Sequence, residues 1–202
     1  ARPQAGFRLV TTASRGVDLV VALDLSRSMD ARDVRPDRLR AARREVASLF
    51  QALEGSALGV VGFAGEARVL SPLSTDMEGL QSLVETAGAG DLDLGGSDLG
   101  AAVRVAARLL RRPGERPRAI VLVSDGENLT GDPRAAIAAA RQAGARVFTL
   151  GVGTPEGATI PVVDSTGTVI GRKRDPEGRV VRSRLDEALL RDLARRGGGR
   201  HE

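Results

Sequence analysis

The stretch V-D-L-V-V-A-L-D-L-S-R-S-M-D, Val17 to Asp30, decides how the rest of the chain is read. Five of the six residues from Leu19 to Asp24 are apolar or small. So unbroken a run argues a strand buried on both faces, as in a parallel sheet covered by helices. Asp24, Ser26 and Ser28 then fall at every second position. In open α/β sheets ligands bind outside the carboxyl ends of the strands, so three short oxygen-bearing side chains there mark a candidate site.

Outward from this strand, short Val-rich runs alternate with longer segments of helical period. Arg35-Pro36-Asp37 opens a helix with Leu39, Ala42, Val46, Leu49, Phe50 and Leu53 on one face. Ala57–Ala64 reads as a second strand. The tight link Gly65-Glu66 makes the short strand Ala67–Ser71 antiparallel to it. Asp76 caps a helix to about Thr86, and a loop rich in Gly and Asp, Ala87–Ser97, follows. Leu99, Ala102, Val103, Ala106, Leu109 and Leu110 mark the next amphipathic helix. Arg118–Ser124 is the third long strand. Asp132-Pro133 starts a helix ending at Gly144, and Ala145–Gly151 is the fourth strand. The expected fold is a doubly wound, Rossmann-like, mostly parallel α/β sheet with helices on both faces and one antiparallel edge strand.

Gly157–Arg184 breaks the alternation. Ile160, Val162, Val169, Ile170, Val180 and Val181 sit among the turns D-S-T-G and D-P-E-G, which predicts a β-ribbon or irregular insertion. Asp186 then caps a last helix that ends near the glycines Gly197–Gly199. No repeat or flexible linker divides the chain, so one domain is expected over 1–202, with its core at about 17–153 and 185–202 and an insertion at about 157–184.

Composition narrows the chemistry. The chain of 202 residues is 42% hydrophobic, with no Trp or Tyr and four Phe, so its core is aliphatic. There is no Cys, which excludes thiolate chemistry, and the single histidine, His201, is next to last. The net charge of +4 comes from 29 Arg and the lone Lys173, interleaved with acids. A nucleic-acid surface would pair a basic stripe with stacking aromatics, and the aromatics are missing. No apolar run reaches the ~18 residues needed to span a membrane. The chain starts at A-R-P-Q without methionine and shows no signal peptide, so it reads as a piece of something longer.

Two strands end alike: Val17–Asp24 runs into D-L-S-R-S and Arg118–Ser124 into D-G-E-N. As neighbours they would bring Asp24 and Asp125 to one edge, on the order of 5 Å apart. Two carboxylates so close repel unless something positive sits between them. Gly95-Gly96 can carry Ser97 to the same edge. Asp24, Ser26, Ser28, Ser97 and Asp125 form an all-oxygen set suited to a hard cation such as Mg²⁺, with Mn²⁺ or Ca²⁺ as substitutes. With few charged ligands, the cation keeps positive charge and an open position for an exogenous carboxylate.

D-L-S-R-S, the glycine-led Ser97 and S-D-G-E resemble, in order, the metal-ion-dependent adhesion site (MIDAS) of von Willebrand factor A (VWA) domains; the resemblance runs from about Val17 to Gly153. It implies that Ser26 and Ser28 bind the metal directly, as does the middle-loop hydroxyl in some states, while Asp24 and Asp125 often act through water. Ser97 stands where that family usually has Thr. V-R-P-D-R-L-R-A-A-R-R-E-V, F-A-G-E-A, G-V-G-T-P-E-G-A-T-I-P and R-L-D-E-A-L-L further resemble bacterial Bat-type aerotolerance membrane proteins. That implies flanking transmembrane helices outside this chain, an extracytoplasmic placement over a cytoplasmic one, and partners among related VWA proteins and a MoxR-type AAA+ ATPase. The function expected is a non-enzymatic protein–protein interaction module whose metal holds an Asp or Glu of its partner. The insertion leaves from the metal edge and is expected to border that partner.

Taken alone, Asp24, Ser26 and Ser28 read equally well as turn residues, and the alternative is a metal-free scaffold. An aspartate-nucleophile phosphatase would need a second acid where Ser26 stands and a nearby lysine. A serine hydrolase lacks its histidine. Asp98 reads as a helix cap, Glu127 and Asn128 as loop polar residues, and Arg27 as a surface arginine or a contact for an acidic partner. Asp91 and Asp93 read as solvated, with a second cation there as the alternative. Gly151-Val152-Gly153 with Gly157 lacks dinucleotide-loop spacing, and no G-x-x-x-x-G-K-[ST] occurs.

Overall fold

The computed structural model describes residues 16–202 apart from Glu54, Asp93, Ser165 and Gly167. The half of the Asp91/Asp93 reading that concerns Asp93 therefore lies outside the described residues. The first strand, β1 (Asp18–Asp24), is buried along its whole length. Its side chains alternate between two cores, with Leu19, Val21 and Leu23 on one face and Val20 and Ala22 on the other. β4 (Arg118–Ser124) divides the same way, with Ala119, Val121 and Val123 opposed to Ile120 and Leu122.

α1 (Arg38–Ala52) and α2 (Met77–Thr86) close the first core. α3 (Leu99–Leu110), α4 (Pro133–Gln142) and α5 (Glu187–Arg196) close the second. All five open on an aspartate whose carboxylate accepts from a first-turn backbone N–H: Asp37, Asp76, Asp98, Asp132 and Asp186. Each such cap satisfies a donor the helix leaves open and is worth ~1 kcal/mol.

With β2 (Ala57–Phe63), β3 (Ala67–Ser74), β5 (Ala145–Gly151) and β10 (Gly198–His201), the sheet has the order β10-β5-β4-β1-β2-β3. Only the β2–β3 pairing is antiparallel, which makes β3 the antiparallel edge. β3 continues past Ser71 to Ser74 because register shifts between Leu58, Val60 and Val61 let it keep pairing around Pro72. α4 ends two residues before Gly144.

The opposite edge was not legible. β10 forms from the glycine-rich tail, which carries no strand propensity. It forms because β5 offers an unpaired edge: Val147 N–H donates to the Gly197 carbonyl, Gly151 N–H to that of Glu202, and Glu202 N–H to that of Thr149, at 2.9–3.1 Å. A Cβ at Gly199 would stand 2.1 Å from the Val147 carbonyl oxygen, so the close approach requires glycine there. The late insertion resolves into two antiparallel pairs. β6 (Ala158–Thr159) joins β9 (Arg182–Ser183), and β7 (Pro161–Val163) joins β8 (Val169–Arg172).

Candidate metal centre

From β1 the chain passes through α1 on one face to β2. It reaches β4, on the other side of β1, through α3 on the opposite face. The connections therefore diverge between β1 and β4, and a crevice opens at their carboxyl ends. Leu23 pairs with Val123, which sets Asp24 beside Ser124 and brings Asp125 out next to it. Both aspartates are fully buried, and Ser26, Ser28 and Ser97 are 6%, 3% and 1% exposed.

Local turns aim these side chains. The Ser26 N–H donates to Asp24 Oδ1 at 2.9 Å, reversing the chain after the strand. A 3-10 turn over Arg27–Asp30 follows, and the Ser26 and Ser28 hydroxyls share a hydrogen bond of 2.9 Å. The turn reading of D-x-S-x-S is thus realised, and it gathers the three side chains at the strand's end. Ser97 arrives on a loop that threads the same edge: Asp98 N–H donates to the Ala64 carbonyl past β2, and the Ser97 carbonyl accepts from Leu129 and Thr130 past β4. Gly65 permits that passage, since a Cβ there would stand 2.2 Å from the Gly95 oxygen. The Ser97 hydroxyl is buried and has no hydrogen-bond partner.

The electrostatics differ between the two aspartates. Asp24 takes the Ser124 hydroxyl on Oδ2 at 2.6 Å. Even so, burial, reinforced by the charge of Asp125, pushes its carboxyl up to about 7. Asp125 is charge-compensated by Arg38, which donates to Oδ2 at 2.8 Å; Ser183 adds a second donor at 3.1 Å and the Glu127 N–H holds Oδ1 at 3.0 Å. Arg38 is itself completely buried. All five of its N–H donors are used: two on Asp33 (2.8 and 2.7 Å), one on Asp125, and two on Ser183 (2.7 and 3.2 Å). Burial opposes Asp33's ionisation, but the Arg38 pairing and Thr154 donors outweigh it and hold the carboxyl below its usual range. Thr154 ties the chain after β5 into this network at 2.9 Å.

Arg38, Asp33, Ser124 and Ser183 were missed in the sequence. The expectation of a positive group between the carboxylates named no residue, and Arg38 looked like one more helix arginine. Only its place one residue after the cap of a helix packed on the site distinguishes it. Two other readings need revision. Asn128 accepts from the Leu99 N–H at 3.0 Å and pins the loop to α3. Glu127 is half-buried, and burial followed by the charge of Asp125 raises its carboxyl, with the Ser28 hydroxyl and Lys173 pulling the other way. Asp98 caps α3, as expected, and Arg27 is exposed beside Asp30. Asp91 turns back on its own loop, accepting from Gly88 N–H at 2.6 Å.

Among the described residues no three His, Cys, Asp or Glu side chains converge as a metal-binding group. The donors here are instead two carboxylates and three hydroxyls. The model of the von Willebrand factor type A domain matches residues 19–127, more than half of the chain and all five candidate donors. The chain belongs to the von Willebrand factor type A family. Within VWA domains it is similar to an aerotolerance-related membrane protein from Bacteroides fragilis, with 36% identity, 92% of this chain and 90% of that one covered, and a TM-score of 0.86. It matches BatB from Bacteroides thetaiotaomicron at 36% identity and TM-score 0.85, covering 92% and 89%. A UPF0353 protein of Nocardia farcinica is 32% identical over 90% of this chain, of whose length the match spans 56%. The fold extends to a mussel byssus proximal thread matrix protein solved with a zinc-occupied MIDAS motif, at TM-score 0.59 and 18% identity over 68% of this chain and 38% of that one. VWA domains are generally protein-interaction modules. No helix among the described residues is long and apolar enough to cross a membrane.

Proposed function

We propose that this VWA domain is a divalent-metal-dependent protein-binding module, and that its metal holds an aspartate or glutamate of a partner. The observation that carries the reading is the Ser97 hydroxyl, buried without a partner at the edge where Asp24, Ser26, Ser28 and Asp125 are also buried. An unpaired buried hydroxyl costs ~1–3 kcal/mol, a cost a cation would offset. The donor chemistry fits a hard ion: hydroxyls from Ser26, Ser28 and Ser97, with Asp24 supplying charge. Asp125 already accepts three hydrogen bonds, which suits a role through water. Mg²⁺ is the expected ion, with Mn²⁺ or Ca²⁺ able to replace it. The bound cation would supply a charged, open coordination position.

The surroundings support a protein partner rather than a small substrate. Leu94 and Leu129 are 56% and 61% exposed on the two loops that hold Ser97, and exposed apolar side chains gathered around a polar centre mark interaction sites. The insertion Gly157–Arg184 leaves from this edge and borders the partner in this reading. Likeness to the Bacteroides proteins supports placing the domain in a membrane-associated bacterial complex related to aerotolerance. Its anchors would lie outside this chain and the domain itself on the extracytoplasmic side, with related VWA proteins and a MoxR-type ATPase as associates.

A Mn²⁺ titration by calorimetry, with and without excess acetate, tests the metal. One saturable site, tightened by acetate and lost in Asp24→Ala, is the expected outcome. Absence of binding in both conditions overturns the reading in favour of a metal-free scaffold. A panel of phosphate esters with Mg²⁺ should show no turnover, and hydrolysis lost in Asp24→Ala would replace the binding module with a phosphatase.

A further inference from the structure

Beyond the metal edge, positive charge and exposed apolar surface gather on one element. Between positions 157 and 184 there are six basic residues against three acidic ones, a surplus of three in a chain whose whole net charge is +4. Five of the eight large exposed apolar side chains among the described residues are also there: Val162, Val163, Val169, Ile170 and Val180.

The two properties meet in an open groove of about 210 Å³ between the loop before α1 and the β7–β8 pair. Its lining includes Arg32 and Arg172 together with Pro161 and Val169. Arg172 is the cross-strand partner of Pro161, which holds its backbone in place. Neither arginine's side chain makes a hydrogen bond or ion pair among the described residues; Arg32 is felt electrostatically by Asp30. The groove is bare above Gly171, where an added Cβ would meet nothing within 4 Å. Its volume is below the ~300 Å³ at which small-molecule sites begin. It suits one or two side chains of a longer chain instead.

The groove is also joined to the metal edge. Ala158, in its lining, pairs with Ser183, whose hydroxyl donates to Asp125. Arg32 adjoins Asp33, which is locked to Arg38. Groove and metal edge are therefore linked through neighbouring residues.

We propose that this groove is a second docking point, taking an acidic segment with interspersed apolar side chains from the protein partner. Its carboxylates pair with Arg32 and Arg172 while its apolar side chains cover Val169 and Pro161. The inference rests on the reading of this face as a protein-binding face, but the contact itself needs no cation. Arginine's planar fork suits carboxylates, and the missing aromatics argue against a single-stranded nucleic acid as the occupant.

The test uses the whole chain and a fluorescein-labelled short peptide of alternating glutamate and leucine. Peptides with glutamine or lysine in place of glutamate serve as controls, read by anisotropy. Saturable binding of the acidic peptide alone is expected, weakened about tenfold or more in the double variant Arg32→Glu/Arg172→Glu. A second variant, Val169→Asn, removes an exposed apolar side chain from the lining and should weaken binding while leaving the charge intact. Binding should persist in chelator and in Asp24→Ala, and Mn²⁺ titration of the double variant should match the parent. Failure of the groove and failure of the metal site are therefore read separately. Equal binding of the three peptides, no binding of the acidic one, or binding indifferent to both variants overturns the proposal. So does the pattern in which vesicles of phosphatidylcholine with phosphatidylglycerol bind through these arginines and the acidic peptide does not, since the occupant would then be a membrane surface.

Discussion

Asp24 and Ser97 carry opposite kinds of stress, and each yields a measurable sign. Asp24 has a folded-state carboxyl pushed up to about 7 by burial and by Asp125, against an ordinary value near 4. A group raised in this way contributes stability that is full below its unfolded value and lost as pH rises through the folded one. Without divalent metal, the melting temperature should fall between about pH 4 and pH 7, and Asp24→Asn should flatten that fall. A metal-free protein whose stability rises over that interval, with no change on Asp24→Asn, would refute the assignment. For Ser97, removing an unpaired buried hydroxyl should relieve strain. Ser97→Ala is expected to stabilise the metal-free protein by ~1 kcal/mol while weakening Mn²⁺ binding about tenfold, as seen in paired melts and titrations. A variant that loses both would mean that the hydroxyl pairs inside the protein.

Elements matter here through what holds them to one another. Arg38 opens α1, yet its guanidinium binds Asp125 after β4, Asp33 before α1 and Ser183 in β9. Removing one partner of a buried ion pair costs ~3–5 kcal/mol, because the remaining charges stay buried. Arg38→Met should cost that much in chemical denaturation, while Asp37→Ala, one residue earlier, loses a cap and an exposed ion pair with Arg40 and should cost ~1 kcal/mol. Equal losses would show that Arg38 acts as a simple helix residue. This network was illegible for a physical reason. Hydrophobic period places Arg38 at a helix start, but neither period nor propensity says which charged side chain near a start will turn inward. That choice depends on Asp33, Asp125 and Ser183, which lie 5, 87 and 145 residues away along the chain. β10 is the same lesson in backbone form, since its strand is induced by the open edge of β5 rather than by its own Gly-Gly-Arg-His.

For the whole molecule, stability should be graded from the sheet's centre outward. β1, β2 and β4 are buried nearly throughout and flanked by paired strands on both sides, whereas β7 and β8 pair only with each other and are largely exposed. Hydrogen exchange should be slowest in β1 and β4 and fastest in β7–β8, because exchange follows the local cost of opening. Uniform protection would mean that the insertion is packed as firmly as the sheet.

Apart from β10, the order of strands and helices, the parallel sheet, the antiparallel edge and the five oxygen side chains at its carboxyl end were legible from residue order alone. Alternation of apolar runs sets the element type locally, and D-x-S-x-S, a glycine-led serine and S-D-G-E each sit directly after a strand or before a helix. Tertiary structure alone decided which strands are neighbours and so made Asp24 and Asp125 share one crevice. It also chose Arg38 as the buried counter-charge, left the Ser97 hydroxyl unpaired and set two arginines in the lining of one groove. Those outcomes depend on distances between residues remote in sequence, which only the packed chain brings together.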